Sequence, residues 1–77
     1  MDMQKIVDVL DIELQVTERL YMCYDSYMRE EYESAMSDQF YYLYAVDKFE
    51  TAMDELTSDE FTQYVGLREF ELEFLNV

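Results

Sequence analysis

The sequence predicts an all-α domain, a three-helix antiparallel hairpin or small bundle completed by dimerisation, and three observations carry that reading. The 77 residues contain no proline and a single glycine, Gly66, so the two strongest helix breakers are nearly absent. Apolar residues recur in steps of three and four along most of the chain. The composition, 51% hydrophobic and 17% aromatic, is rich enough for a core and argues against disorder. A chain this short nevertheless buries only ~60% of the surface its unfolded form exposes. With one cysteine, Cys23, it has no internal disulfide to help, so a second copy is the default stabiliser. No fixed-period repeat and no Pro-, Gly- or Ser-rich linker divides the sequence, and residues 1–77 read as one domain.

The elements follow in order. Ile6, Val9, Ile12, Val16, Leu20, Tyr24 and Tyr27 trace one helical stripe and predict a first helix over about residues 3–34. Such a helix would be about 48 Å long, more than so small a domain covers alone, so a break or a partner must intervene. Ser34-Ala35-Met36-Ser37-Asp38 is the candidate turn, because Ser37 or Asp38 can cap the next helix. The second helix, about 38–56, carries Tyr42, Ala45, Val46, Phe49, Ala52, Met53 and Leu56 at helical spacing, with Asp47, Glu50 and Asp54 opposite. Thr57-Ser58-Asp59-Glu60 has the S/T-x-x-E form of a capping box and starts a third helix at Ser58, which Gly66 either ends or loosens. Phe70 to Phe74 alternates strictly, as a strand does, while Leu67, Phe70 and Phe74 also fit helical steps. Helix is preferred because no obvious strand is there to pair with, although strand exchange across a dimer would use the same pattern.

Eight tyrosines and five phenylalanines concentrate at Tyr21, Tyr24, Tyr27 and Tyr32 and at Phe40, Tyr41, Tyr42 and Tyr44. Core packing is the first expectation for the stripe 21, 24, 27/28, and an interface rich in Tyr and Met is the alternative. Tyr41, Tyr42 and Tyr44 cannot all face one core, since neighbours on a helix point about 100° apart. Cys23 reads as a small buried apolar residue, with no Lys or His placed to stabilise a thiolate.

Several function classes drop out. The chain has no histidine, which removes His-based acid/base chemistry and the Ser-His and Cys-His nucleophiles, and one glycine cannot build a phosphate-cradling loop. No catalytic set and no cofactor is expected. One Cys and no His leave only carboxylates for metals, and neither a calcium loop nor a Glu-x-x-His pair is present, so no metal site is expected either. There is no secretory signal and no apolar run of spanning length, which points to a cytoplasmic protein. A formal charge of −14 repels anionic lipid and nucleic acid alike, so neither membrane nor nucleic acid is a direct ligand. The expected partner is basic.

The carboxylates are the distinctive feature: 19 Asp and Glu face only Lys5, Arg19, Arg29, Lys48 and Arg68. Asp11, Glu18 and Asp25 recur every seven residues with Asp8 a turn earlier, Glu30, Glu31 and Glu33 cluster at the end of the first helix, and Asp47, Glu50 and Asp54 share one side of the second. Like charges a turn apart cost ~0.2–0.5 kcal/mol per pair, so the sequence tolerates repulsion that stability alone would avoid. Carboxylates on successive turns lie about 5–6 Å apart and ~10 Å over two turns, which brackets phosphate spacing along a nucleic-acid strand. These ten residues are therefore the candidate partner-binding set.

In size, acidity, scarcity of lysine and lack of a catalytic set, the chain resembles the small acidic proteins that phages encode against host defences, such as DNA-mimic anti-restriction proteins and some anti-CRISPR proteins. The likeness is compositional over the whole chain, and no functional residue carries over from it. It implies an inhibitor, often dimeric, that acts in the host cytoplasm by occupying the nucleic-acid channel of a basic protein. A solvated acidic surface is the plain alternative, and a helical adaptor docking through its Tyr/Met surface is the functional rival.

Overall fold

The first N–H groups of a helix need acceptors, and Asp2 supplies one: its Oδ1 accepts from the backbone N–H of Gln4 at 3.0 Å and of Lys5 at 3.4 Å. α1 (Met3–Met28) starts there and is followed by α2 (Tyr32–Asp54) and α3 (Ser58–Leu75). The computed structural model describes the backbone of residues 2–75 and the side chains of residues 2–70. The architecture is all-α, with no strand among the described residues. The alternating segment from Phe70 to Phe74 belongs to α3, which runs through Gly66 without a break; positions 76 and 77 of the ambiguous tail lie outside the described residues.

The first turn is not where the sequence places it. α1 ends at Met28 rather than near residue 34, and Ser34 to Asp38 lie inside α2. The chain reverses at Arg29–Glu31 through a Schellman arrangement: Glu30 N–H donates to Tyr27 O (3.1 Å) and Glu31 N–H to Ser26 O (3.0 Å). Glu30 takes the left-handed conformation this requires, φ 61°. Glycine normally occupies that position, and its absence hides the turn from a reading based on breakers. Asp38, expected as a cap, instead accepts a 2.7 Å hydrogen bond from Ser26 Oγ across the hairpin.

The third helix starts at Ser58 as expected, while α2 ends at Asp54, two residues before its expected end. Thr57 Oγ1 accepts from Glu60 N–H (3.2 Å) and Glu60 Oε1 accepts from Thr57 N–H (3.0 Å), a complete capping box at the start of α3. The other oxygen, Oε2, accepts from the backbone N–H of Asp2 at 3.0 Å, so one buried carboxylate closes the N-termini of both α1 and α3.

α1 and α2 pair antiparallel, with Cys23 beside Ala35 near the tip and Ile12 beside Ala52 towards the other end. All seven apolar positions assigned to α2 are buried or half-buried, and Asp47, Glu50 and Asp54 are exposed. On α1 the stripe holds through Ile6, Val9, Ile12 and Val16, then departs from expectation. Leu20, Tyr24 and Tyr27 are exposed, and the side facing α2 passes instead through Cys23 and Ser26. Small residues there let the two helices approach closely near the short turn, with Cys23 Sγ 3.6 Å from Ala35 O, and the larger rings are left outside.

α3 packs against the other end. Ile6, Val9 and Tyr64 form the buried centre, surrounded by Leu10, Phe49, Ala52, Met53, Leu56, Val65 and Leu67. Tyr64 Oη donates to Glu13 Oε2 at 2.6 Å, and Arg68 Nε donates to the same carboxylate. The result is flat and elongated, with Cα extents of 45 × 31 × 14 Å; the thinnest dimension is about that of two helices side by side. Its radius of gyration is 14.6 Å, against about 11–12 Å for a compact domain of this length.

Candidate partner-binding surfaces

A residue two positions along a helix points about 200° away, and that offset places the acids. Asp11, Glu18 and Asp25 each follow by two an inward residue of α1 (Val9, Val16, Cys23), and Asp47 and Asp54 follow Ala45 and Ala52 in the same way. The two sets therefore lie towards the two outer edges of the hairpin: Asp11, Glu18 and Asp54 are exposed, Asp25 is half-buried, and Asp47, though exposed, also lines a shallow groove with Ile12 of α1. Along α1 the interval is seven residues, about 10.5 Å, with a drift of only ~20° per interval. Glu50 joins the α2 edge one turn from Asp47 and Asp54. Asp8 lies about 60° round from Asp11 and accepts a hydrogen bond from Gln4 Nε2 at 2.9 Å.

Glu30, Glu31 and Glu33 are not at the end of α1 but across the turn: Glu30 in the reversal, Glu31 as the N-cap residue of α2, and Glu33 in its first turn. Negative charge is favourable at the N-terminal end of a helix, which gives Glu33 a structural reason to be there. Asp25 and Asp54 have no such reason, standing in last turns that contain no basic residue, against the helix dipole. Of the ten candidate acids, only Asp25 has an ion-pair partner among the described residues, Arg29 at 3.2 Å. Other cations are engaged elsewhere. Arg19 lies 5.3 Å from the Tyr41 ring centre, Lys48 lies 5.7 Å from that of Tyr44, and Arg68 is held by Glu13.

Two carboxylates outside the candidate set serve the fold. Glu60 titrates below the ordinary carboxylate range because backbone N–H groups of Thr57 and Asp2 hold its charged form, against the opposing effect of burial. Glu13 meets Tyr64, whose hydroxyl is pushed well above its usual value by burial and then by the neighbouring carboxylate. Position 13, four after Val9 and three before Val16, sits on the inward stripe itself, and this was the available signal that its carboxylate is internal.

The second surface is apolar. Among the described residues only Ile6, Val9, Ala35, Ala45 and Tyr64 are buried apolar residues, whereas seventeen large apolar or aromatic side chains are exposed, among them Tyr21, Tyr24, Tyr27 and Tyr32. The tyrosine stripe of α1 is thus not core in this chain. Of the triplet on α2, Tyr42 is half-buried and Tyr41 and Tyr44 are exposed, as their angular separation requires. Towards the tip the exposed residues form a groove of about 480 Å³, walled by Leu20, Tyr24 and Tyr27 on one side and Tyr32, Met36 and Gln39 on the other, with Cys23 and Ala35 also lining it. Tyr27 and Tyr32 close its end with an edge-to-face contact at 6.0 Å.

No set of three His, Cys, Asp or Glu side chains among the described residues is placed to hold a metal ion, and no described helix is long and apolar enough to cross a membrane. No protein-family profile, curated protein or solved structure matches the chain.

Proposed function

We propose that this protein is a non-enzymatic acidic inhibitor that occupies the nucleic-acid-binding surface of a basic protein, a decoy for the phosphate backbone acting in the cytoplasm of a phage-infected cell. The observation that carries the reading is the outer edge of α1. There Asp11, Glu18 and Asp25 repeat at about 10.5 Å on a rigid rod, close to three base-pair rises of about 3.4 Å each. The edge continues through the Glu30, Glu31 and Glu33 tip to Asp47, Glu50 and Asp54 on α2, and eight of these nine acids, all but Asp25, are without an ion-pair partner among the described residues. An array of this kind attracts a Lys/Arg-lined groove from a distance and is repelled by nucleic acid, which favours the protein over its ligand.

The test is displacement of nucleic acid from a basic protein captured on this chain at low salt. The decoy requires competition that weakens by roughly tenfold or more between 50 and 500 mM salt. It also requires loss of competition when Glu30, Glu31 and Glu33, or Asp11, Glu18 and Asp25, are changed to Lys. The exposed tyrosine groove favours a second reading, a helical adaptor, in which both triple reversals leave partner binding intact and a charge placed in the groove abolishes it.

A further inference from the structure

The groove at the tip extends a seat that is already used. α3 docks on α1 through Leu10 and Glu13, and three- and four-residue steps from Glu13 lead to Thr17, Leu20, Tyr24 and Tyr27. One side of the hairpin is thus covered by α3 over half its length and bare over the other half. The geometry points to a second copy of this chain as the missing cover: two hairpins meet groove to groove about a two-fold axis, building a four-helix bundle at the tips.

Area, charge and shape each favour that occupant. A compact monomer of 9.4 kDa exposes about 5,000 Å², whereas this chain exposes 6181 Å², an excess of about 1,200 Å². A standard interface takes about 800 Å² from each partner, so a dimer is accommodated within the surplus. No charged residue lines the groove itself, so a second copy seated in it buries no carboxylate there, and nothing in the groove selects a basic protein. Asp11, Glu18, Asp47, Glu50 and Asp54 stay on the outer edges in such a pair, while Glu30, Glu31 and Glu33 flank the contact at the tip. The walls of Leu, Tyr and Met are chemically alike, as an isologous contact requires, and a two-fold pairing closes after two copies. This inference does not depend on the inhibitor reading.

Sedimentation equilibrium of the full chain tests it. The expected mass at tens of micromolar is twice 9.4 kDa, with tighter association at 500 than at 50 mM salt because each copy carries −14. Met36, 72% exposed in the groove wall, is open to change without cost to the single-chain fold. Met36→Glu and Met36→Lys should each weaken association by about 100-fold or more at unchanged helical ellipticity, the pair separating burial of a charge from a change in net charge. Leu14→Glu, at a residue 59% exposed on α1 away from the tip and outside the groove, should leave the dimer intact. A wild-type monomer at both salts, an assembly larger than two, or a dimer split by Leu14→Glu and untouched by both Met36 variants would each overturn the proposal, the first leaving the groove to a different partner.

Discussion

Tyr64→Phe isolates the bond that holds α3. The ring stays in the buried centre with Ile6 and Val9, while the 2.6 Å bond from the hydroxyl to Glu13 is lost. A hydrogen bond to an ionised group contributes about 1.5–3 kcal/mol. Glu13 keeps Arg68 and its side chain retains 23% exposure, so water recovers part of the loss and the expected cost is near 1.5 kcal/mol. A chain of this length has a total stability of roughly 4–12 kcal/mol, so the change is a large share and corresponds to a Tm lower by roughly 6–12 °C. Tyr64→Ala removes the ring as well and should cost about 3–5 kcal/mol. Urea titrations followed by helical ellipticity at one fixed protein concentration measure both, the fixed concentration being needed wherever association contributes. The alkaline limb gives a second readout. Because folding raises the Tyr64 pKa, its contribution is constant below the unfolded value of about 10 and is lost as pH rises beyond it; Tyr64→Phe should abolish that limb. A cost below about 0.5 kcal/mol for Tyr64→Phe, with the alkaline limb unchanged, would refute the assignment of α3 docking to this bond.

Three further outcomes follow from single residues. Gly66 lies within α3 with nothing within 4 Å of where a Cβ would stand, so Gly66→Ala should stabilise by about 0.5–1 kcal/mol in a thermal or urea melt. Glu30→Gly relieves a left-handed residue at the Schellman position and should also stabilise, by about 0.5–1 kcal/mol, while Glu30→Ala keeps the strain and should not. Folding lowers the pKa of Glu60, so its contribution is present above the unfolded value of about 4.3 and is lost as pH falls below it; the difference in Tm between wild type and Glu60→Gln should shrink across that range.

The helices were legible where a position did one job. The α2 stripe from Tyr42 to Met53 and the Thr57–Glu60 box are local patterns, and both stand in the structure as read, while Leu56 packs on the core from just beyond the end of α2. What failed was long-range or unusual. The first turn uses a glutamate at φ 61° in place of glycine, so no breaker marks it. The apolar periodicity of α1 runs on through the largest residues, Leu20, Tyr24 and Tyr27, whereas close approach at the tip selects the small Cys23 and Ser26. Glu60 was readable as a box partner, but its second bond to Asp2, 58 residues away, is a product of tertiary packing. The angular placement of the candidate acids followed from helix geometry; their relation to a turn about six residues before its expected place did not.

The same two-residue offset that directs the acids outward also explains how the hairpin withstands them. Side by side, two helices span about 20 Å, so the edge bearing Asp11, Glu18 and Asp25 and the edge bearing Asp47, Glu50 and Asp54 stand about that far apart. At physiological ionic strength the screening length is about 8 Å, shorter than both this separation and the 10.5 Å interval along α1, so repulsion between the two edges and along the α1 edge is largely suppressed, while acids one turn apart, such as Glu50 with Asp47 and Asp54, still repel. At 10 mM salt the screening length grows to about 30 Å, and the acids on both edges then act on one another. The arrangement therefore predicts a Tm that climbs as salt rises from 10 to 150 mM and flattens above that. Replacing Glu18 by Gln should reduce the climb without altering the plateau, since Glu18 has no ion-pair partner among the described residues and its nearest neighbours on the α1 edge, Asp11 and Asp25, are seven residues away. A Tm independent of salt would mean that the two edges do not interact through a shared field, and the acids would then have to be treated as separate, locally hydrated groups.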